Sequence, residues 1–100
     1  MGLLTNLFGK SVDYSTLVRG GAIIIDVRSP GEFAGGHIKG SKNIPLQELP
    51  KKLNSLPKDK VIITCCASGM RSASAKNTLK SNGFKEVHNG GGWMRLKEKI

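Results

Sequence analysis

Two apolar runs constrain this chain more than any other feature: "AIIIDV" at Ala22 to Val27 and "KVIIT" at Lys60 to Thr64. Neither alternates apolar with polar residues. A strand apolar at successive positions buries both faces, so layers of other structure must cover it on each side. Turn residues bound the first run, Gly20-Gly21 before it and "RSPG" after it. The expectation is an α/β fold, a small parallel β-sheet flanked by helices on both faces.

The segments between the runs supply the other elements. "SVDYSTLVRGG" predicts a short helix with Asp13 as N-cap, ended by Gly20-Gly21. "SPGEFAGG" predicts a brief helix from Pro30, a residue suited to a first helical turn. "KNIP" reads as a minimal strand stopped by Pro45, and "LPKKLNSL" puts Leu49, Leu53 and Leu56 on one helical face. "SASAKNTLKSNG" spaces Ala75 and Leu79 by one helical turn and ends at Gly83. "KEVH" reads as a strand, and "GGGWMRLKEKI" as a glycine turn entering a terminal helix. Residues 1–12 are expected to form a loosely held tail, with Leu3, Leu4, Leu7 and Phe8 covering an apolar edge. Residues 13–100 are expected to form one domain, since 100 residues leave no room for a second core.

Sixteen basic residues against seven acidic give a net charge of +9. The lysines are scattered and form no dense tract, so the charge reads as a cationic surface that attracts small anions. Few aromatics are available for stacking bases, which argues against a nucleic-acid platform. No apolar run approaches a membrane span. The start, "MGLLTNLFGK", lacks the parts of a secretory signal, and Asn6 breaks the myristoylation pattern. The two cysteines are neighbours. A bridge between them would constrain almost no chain, and two ligands do not make a structural zinc site. Free thiols suit a reducing compartment, so a cytoplasmic protein is expected.

Those cysteines sit in "VIITCCASGMRS", Val61 to Ser72, where an apolar strand hands over to a helix expected to start near Ser72. Backbone N–H groups of Ala67, Ser68, Gly69, Met70 and Arg71 would converge at such a junction, where the helix dipole adds positive charge. A thiol held there ionises more readily than a free cysteine, whose pKa is roughly 8.5. Gly69 supplies the backbone freedom of a tight loop, and Ser68 and Ser72 offer hydroxyls. Two registers remain open on spacing alone. From Cys65, Arg71 closes C-x5-R, the spacing of a cysteine phosphatase loop; from Cys66 it closes the shorter C-x4-R. Cys65 continues the apolar strand and reads as a core residue, whereas Cys66 stands at the mouth of the loop.

Three separated segments resemble the single-domain rhodaneses, the sulfurtransferase family, in the right order along the chain. "CASGMRS" resembles the family's C-x-x-G-x-R-S active loop, which starts at Cys66. "IIDVRSPGEFAGGHIKGSKNIP" is similar to its upstream signature, and "VHNGGGWMRL" to the glycine-rich segment before its last helix. The resemblance covers nearly all of the chain after residue 12. It implies a rhodanese-like sheet and Cys66 as the nucleophile, loaded with sulfur from thiosulfate or a related donor and discharged to cyanide or a thiol. Residues Ala67 to Ser72 would hold the substrate, with Arg71 attracting an anionic donor. Asp26 and Arg28 are expected to scaffold the loop and to pair with neighbours such as Glu32. His37 is placed in a structural turn, Trp93 at the core or cleft wall, and Gly90, Gly91 and Gly92 where backbone passes close to the loop. No metal or organic cofactor is implied, nor any nucleic acid or membrane, and a monomer is expected. Two alternatives stand beside this reading. One is a non-catalytic persulfide carrier or protein-binding module; the other is a cysteine phosphatase or arsenate reductase using Cys65. For Cys65 two roles stay open, an inert neighbour or a thiol that attacks a Cys66 persulfide and releases hydrosulfide.

Overall fold

The computed structural model describes residues 12–100. The expected tail therefore lies, apart from Val12, outside the described residues. The chain runs α1 (Tyr14–Arg19), β1 (Ile23–Asp26), α2 (Pro30–Ala34), β2 (Lys42–Asn43), α3 (Leu49–Lys52), β3 (Val61–Cys66), α4 (Met70–Ser81), β4 (Glu86–Gly92) and α5 (Trp93–Glu98). The four strands form one sheet in the order β2-β1-β3-β4, every pair parallel. The two apolar runs are its central strands, which is why neither alternates.

Each face of the sheet carries its own core. Ile25, Val27, Ile62 and Cys66 point to one face and pack with Leu49 of α3 and Ala75 and Leu79 of α4. Ile24, Ile63 and Cys65 point to the other and pack with Leu17 of α1 and with Trp93 and Leu96 of α5. Burying each large aliphatic side chain contributes about 1.5–3 kcal/mol, so the double-sided sheet holds most of the apolar free energy.

Local chemistry sets the element ends. The Asp13 carboxylate accepts from the Thr16 amide and caps α1. Ser29 and Glu32 form a reciprocal capping box around α2, with Pro30 in its first turn. Four expectations need correction. The segment around Leu49–Leu56 is a single α-turn flanked by 3-10 turns at Leu46–Glu48 and Leu53–Ser55, because Pro50 leaves little room for a regular ladder. Strand β3 runs on through both cysteines, two residues beyond Thr64, and α4 begins at Met70, two residues before Ser72. The glycines also belong to β4 instead of a turn.

Thr64 pairs with Asn89, but Cys66 pairs with Gly92, so β4 spends three steps where β3 spends two. The extra residue is a bulge, and Gly91 takes φ +80° within it. At Gly90 a Cβ would lie 2.9 Å from Ile63 Cγ2, from Leu96 Cδ2 and from the Thr64 carbonyl oxygen.

At the end of β1, Asp26 is fully buried and Arg28 nearly so. The Arg28 guanidinium donates to both Asp26 oxygens at 2.7–3.0 Å and to the carbonyls of Glu32 and Gly36 at 3.3 and 2.7 Å. It therefore ties β1 to α2 and to the chain beyond it. Its contact with Glu32 is to the main chain only, and the expected Arg28–Glu32 side-chain pair is not formed.

Two substitutions test this frame. Gly90→Ala should lower unfolding free energy in urea by about 1–3 kcal/mol through overpacking. Arg28→Leu should cost about 3–5 kcal/mol by the same measurement, because Asp26 loses the cation that pairs its buried carboxylate.

Candidate active site

The β3–α4 junction builds a cradle around one sulfur. The Gly69 amide donates to Cys66 Sγ at 3.0 Å and the Ser72 amide at 3.4 Å. The Ser68 amide adds a smaller contribution that favours the sulfur's anion. Of the expected Ala67–Arg71 span, Gly69 thus turns its amide onto the sulfur, and the second bonded amide comes from Ser72, the third residue of α4. Gly69 takes φ +113°, a left-handed conformation that directs its N–H back to the sulfur. A Cβ there would lie 3.4 Å from Gly91 Cα, and one on Gly92 would lie 3.0 Å from the Ala67 carbonyl oxygen. The glycine segment does pass against the loop.

The two cysteines experience opposite fields. Burial and the Asp26 carboxylate push the Cys65 thiol up to about 12. Burial also pushes the Cys66 thiol up, but hydrogen bonds from Ser72, Gly69 and Ser68 outweigh it, and the net shift is downward. Cys65 belongs to the face packed against α1 and α5, and Cys66 to the face packed against α4. Attack of Cys65 on a group carried by Cys66 is therefore opposed by the sheet itself.

Arg71 points its guanidinium at Glu32, with paired contacts of 2.8 and 3.0 Å. Both side chains remain more than one-third exposed. Arg71, followed by the Ser29 amide, holds the Glu32 carboxyl down to about 2. An anion drawn to Arg71 must share it with this carboxylate. Met70 is largely exposed beside it. His37 stacks on Phe33 and its Nδ1 lies 2.8 Å from the Phe33 carbonyl, which fits a structural turn. Trp93 packs its ring under Arg28, 4.6 Å from the guanidinium carbon.

Trp93 also lines an open cleft of about 770 Å³ that follows the outer side of the loop, with Ala67, Ser68, Gly91, Gly92 and Arg95. Cys66 lies behind this wall and is 1% exposed.

Asn89 escaped the sequence reading, although "VHNGGG" contained it. Its Oδ1 receives the Ser72 hydroxyl at 2.6 Å and the Gly91 amide at 2.9 Å, and its Nδ2 donates to the Gly69 carbonyl at 3.3 Å. A polar residue at a strand position otherwise suited to an apolar one was the available signal.

Comparisons with known proteins bear on the fold and the family. A family model described as "Rhodanese-like domain" matches residues 13–99. The Bacillus subtilis protein YqhL is 44% identical over 80 residues, covering 79% of this chain and 64% of that protein. A Stutzerimonas stutzeri protein named thiosulfate sulfurtransferase GlpE is 38% identical over 76 residues, 76% of this chain and 70% of its own. The solved structure of the human single-domain sulfurtransferase TSTD1 superposes with a TM-score of 0.75 at 29% identity, covering 86% of this chain and 89% of its own. With strand order, cysteine loop and glycine segment all in place, the chain belongs to the family of rhodanese-like domains.

Proposed function

We propose that this domain transfers sulfane sulfur through a persulfide on Cys66. The observation that supports it most directly is the set of amides aimed at Cys66 Sγ, with a thiol pKa lowered despite burial. The Cys66 thiolate attacks the outer sulfur of thiosulfate or a related donor. The S–S bond forms as the donor's own S–S bond breaks, and its electron pair leaves with sulfite. The loaded Cys66 then carries an anionic outer sulfur, which loop N–H groups stabilise as an oxyanion hole does an oxygen. A thiolate or cyanide takes that sulfur and returns Cys66 as thiolate, so no outside oxidant or reductant is consumed. Arg71, Arg95 and Lys99 supply positive charge near the loop or along the cleft to attract an anionic donor. The reaction needs no metal or organic cofactor, and the domain is proposed to act as a cytoplasmic monomer. No helix of the described residues is long and apolar enough to cross a membrane.

Oxyanion chemistry on Cys65 is disfavoured by the same geometry. Its sulfur is sealed on the opposite face and its pKa is raised to about 12, so a thiolate nucleophile is scarce at neutral pH. A carrier role has one point in its favour: a Bacillus subtilis relative named a putative sulfur carrier protein is 44% identical over 66 residues, a match covering 66% of this chain and 36% of that protein. The loop would hold a persulfide equally well in that role.

Mass spectrometry of the intact protein after thiosulfate should show one added sulfur in the wild type and in Cys65→Ser, removed by cyanide. Cys66→Ser should show none. Loading that survives in Cys66→Ser but vanishes in Cys65→Ser would reverse the assignment. Loading without turnover in the presence of either cyanide or a thiol would favour the carrier.

The lowered pKa has a definite sign in kinetics. Thiolate is lost as pH falls through the depressed folded value, so iodoacetamide alkylation of native Cys66 should reach half its maximal rate below pH ~8.5, where a free cysteine does. In native Cys66→Ser, the remaining Cys65 should stay unmodified across neutral pH and react only on unfolding.

A further inference from the structure

The Ser72 hydroxyl has one proton and three acceptors within reach. Asn89 Oδ1 is at 2.6 Å, the Gly69 carbonyl at 3.0 Å and Cys66 Sγ at 3.5 Å. The orientation of the Asn89 amide is not free, because the Gly91 N–H donates to the same oxygen at 2.9 Å and would collide with an NH2 group. That oxygen only accepts. At 2.6 Å the Ser72 proton therefore rests on Asn89, and the Cys66 S–H donates to the Ser72 oxygen.

This arrangement suits the neutral sulfur and not the charged one. Once Cys66 is a thiolate, the strongest bond open to Ser72 is to the sulfur, since hydrogen bonds to charged acceptors are roughly twice as strong as neutral ones. Rotation of one C–O bond makes the change. Asn89 Oδ1 keeps the Gly91 N–H when Ser72 leaves, so no buried acceptor is stranded.

We propose that Ser72 is a two-position donor, parked on Asn89 when Cys66 is a thiol or persulfide and turned to Sγ when Cys66 is a thiolate, with Asn89 as the positioning residue. The assignment rests on the transfer chemistry proposed above only for its use. When an acceptor thiolate takes the outer sulfur, the Cys66 S–S bond breaks with its electron pair on Sγ, and the Ser72 proton swings to meet that charge. When the next donor loads Cys66, it swings back. Asn89 is thereby a competitor of the sulfur for one proton.

Other titratable groups near the sulfur do not substitute for this pair. Cys65 shares the strand but faces the opposite core. Arg71 on α4 is engaged by Glu32 of α2, and Asp26 on β1 is bonded to Arg28.

The competition predicts a counterintuitive sign. Removing the parking site frees the Ser72 proton for the sulfur, so Asn89→Leu should move the half-maximal pH of Cys66 alkylation down by about half to one unit. Asn89→Asp, which keeps both acceptor contacts, should move it up. In a Ser72→Ala background, Asn89→Leu should leave it unchanged. A merely structural Asn89 gives the opposite result, because a loosened loop loses amide bonds to the sulfur and raises the pKa. An upward or absent shift in Asn89→Leu, or a downward one persisting without Ser72, overturns the proposal. Thermal melts report folding. Should the Leu variant not fold, Asn89→Ala replaces it, and an Asn89→Asp shift that is absent or downward is equally decisive. Alkylation reads thiolate whether or not sulfur moves, so failure here is separate from failure of sulfur loading on Cys66.

Discussion

The hydrogen bonds that converge on Cys66 Sγ decide what the rest of this domain is for. A buried thiolate is costly, and Cys65, one residue earlier, shows what burial near a carboxylate does by itself: its thiol is pushed up to about 12. Cys66, at 1% exposure, shifts the other way, because contacts with the Ser72 hydroxyl and with the amides of Ser72 and Gly69 favour its thiolate. Those donors are available for a structural reason. The first N–H groups of a helix have no intrahelical partner and normally find one in an N-cap side chain. Gly69, at the N-cap of α4, has no side chain to give, and the Ser72 amide at the third helical position turns to the sulfur instead. Cys66 thus acts as the cap of α4. The helix gains its missing acceptor, and the sulfur gains donors that favour its anion.

That capping geometry depends on the neighbouring strand. The bulged segment runs so close to the loop that a Cβ on Gly69 would touch Gly91 and one on Gly92 would crowd the Ala67 carbonyl. It also leaves Asn89 in register with Thr64, on the side of the sheet where α4 begins. Thr64 donates its hydroxyl to the Ser72 carbonyl at 2.8 Å, and Asn89 holds the Ser72 hydroxyl. The first turn of α4 is therefore clamped from two adjacent strands. On the outer side, the buried Asp26–Arg28 pair fixes the chain after β1, and Glu32 reaches from α2 to Arg71. An exposed pair of that kind stabilises little by itself. Its use is positional, keeping the guanidinium beside the loop.

Much of this was legible in the sequence, for identifiable reasons. The apolar runs at Ala22–Val27 and Lys60–Thr64 announced central strands because burial on both faces removes alternation. Asp13, Pro30 and Gly83 marked helix ends through local chemistry that acts within a few residues. The loop around Cys66 was visible because a small-residue segment between strand and helix has few other uses. What failed depended on long-range contacts. Cys65 reads locally as a continuation of the apolar strand, but nothing local shows that β3 runs on through Cys66, since that step is paired to Gly92 from a distant part of the chain. The glycines looked like a turn because their sequence lacks strand propensity, yet tight packing against Ile63, Leu96 and the loop excludes side chains there. Glu32 was assigned to Arg28, its near neighbour, whereas the fold delivers Arg71 from 39 residues away.

The adjacent cysteines condense the lesson. Composition and spacing treat them as equals and allow either to close a loop on Arg71. A strand does not, because successive side chains leave on opposite faces. One face of this sheet offers Asp26 and apolar neighbours; the other offers the start of a helix with unpaired amides. Extending β3 by two residues beyond Thr64 is therefore what separates a thiol whose pKa is raised from one whose pKa is lowered. The same step fixes the loop at its shorter length, since Cys65 spends its place in the strand and only Ala67 to Gly69 remain to reach Met70 and the helix. A ring that short closes on a single sulfur. The longer register would need Cys65 to leave the sheet, giving up its pairing with Asp26 and a fully buried position in the core.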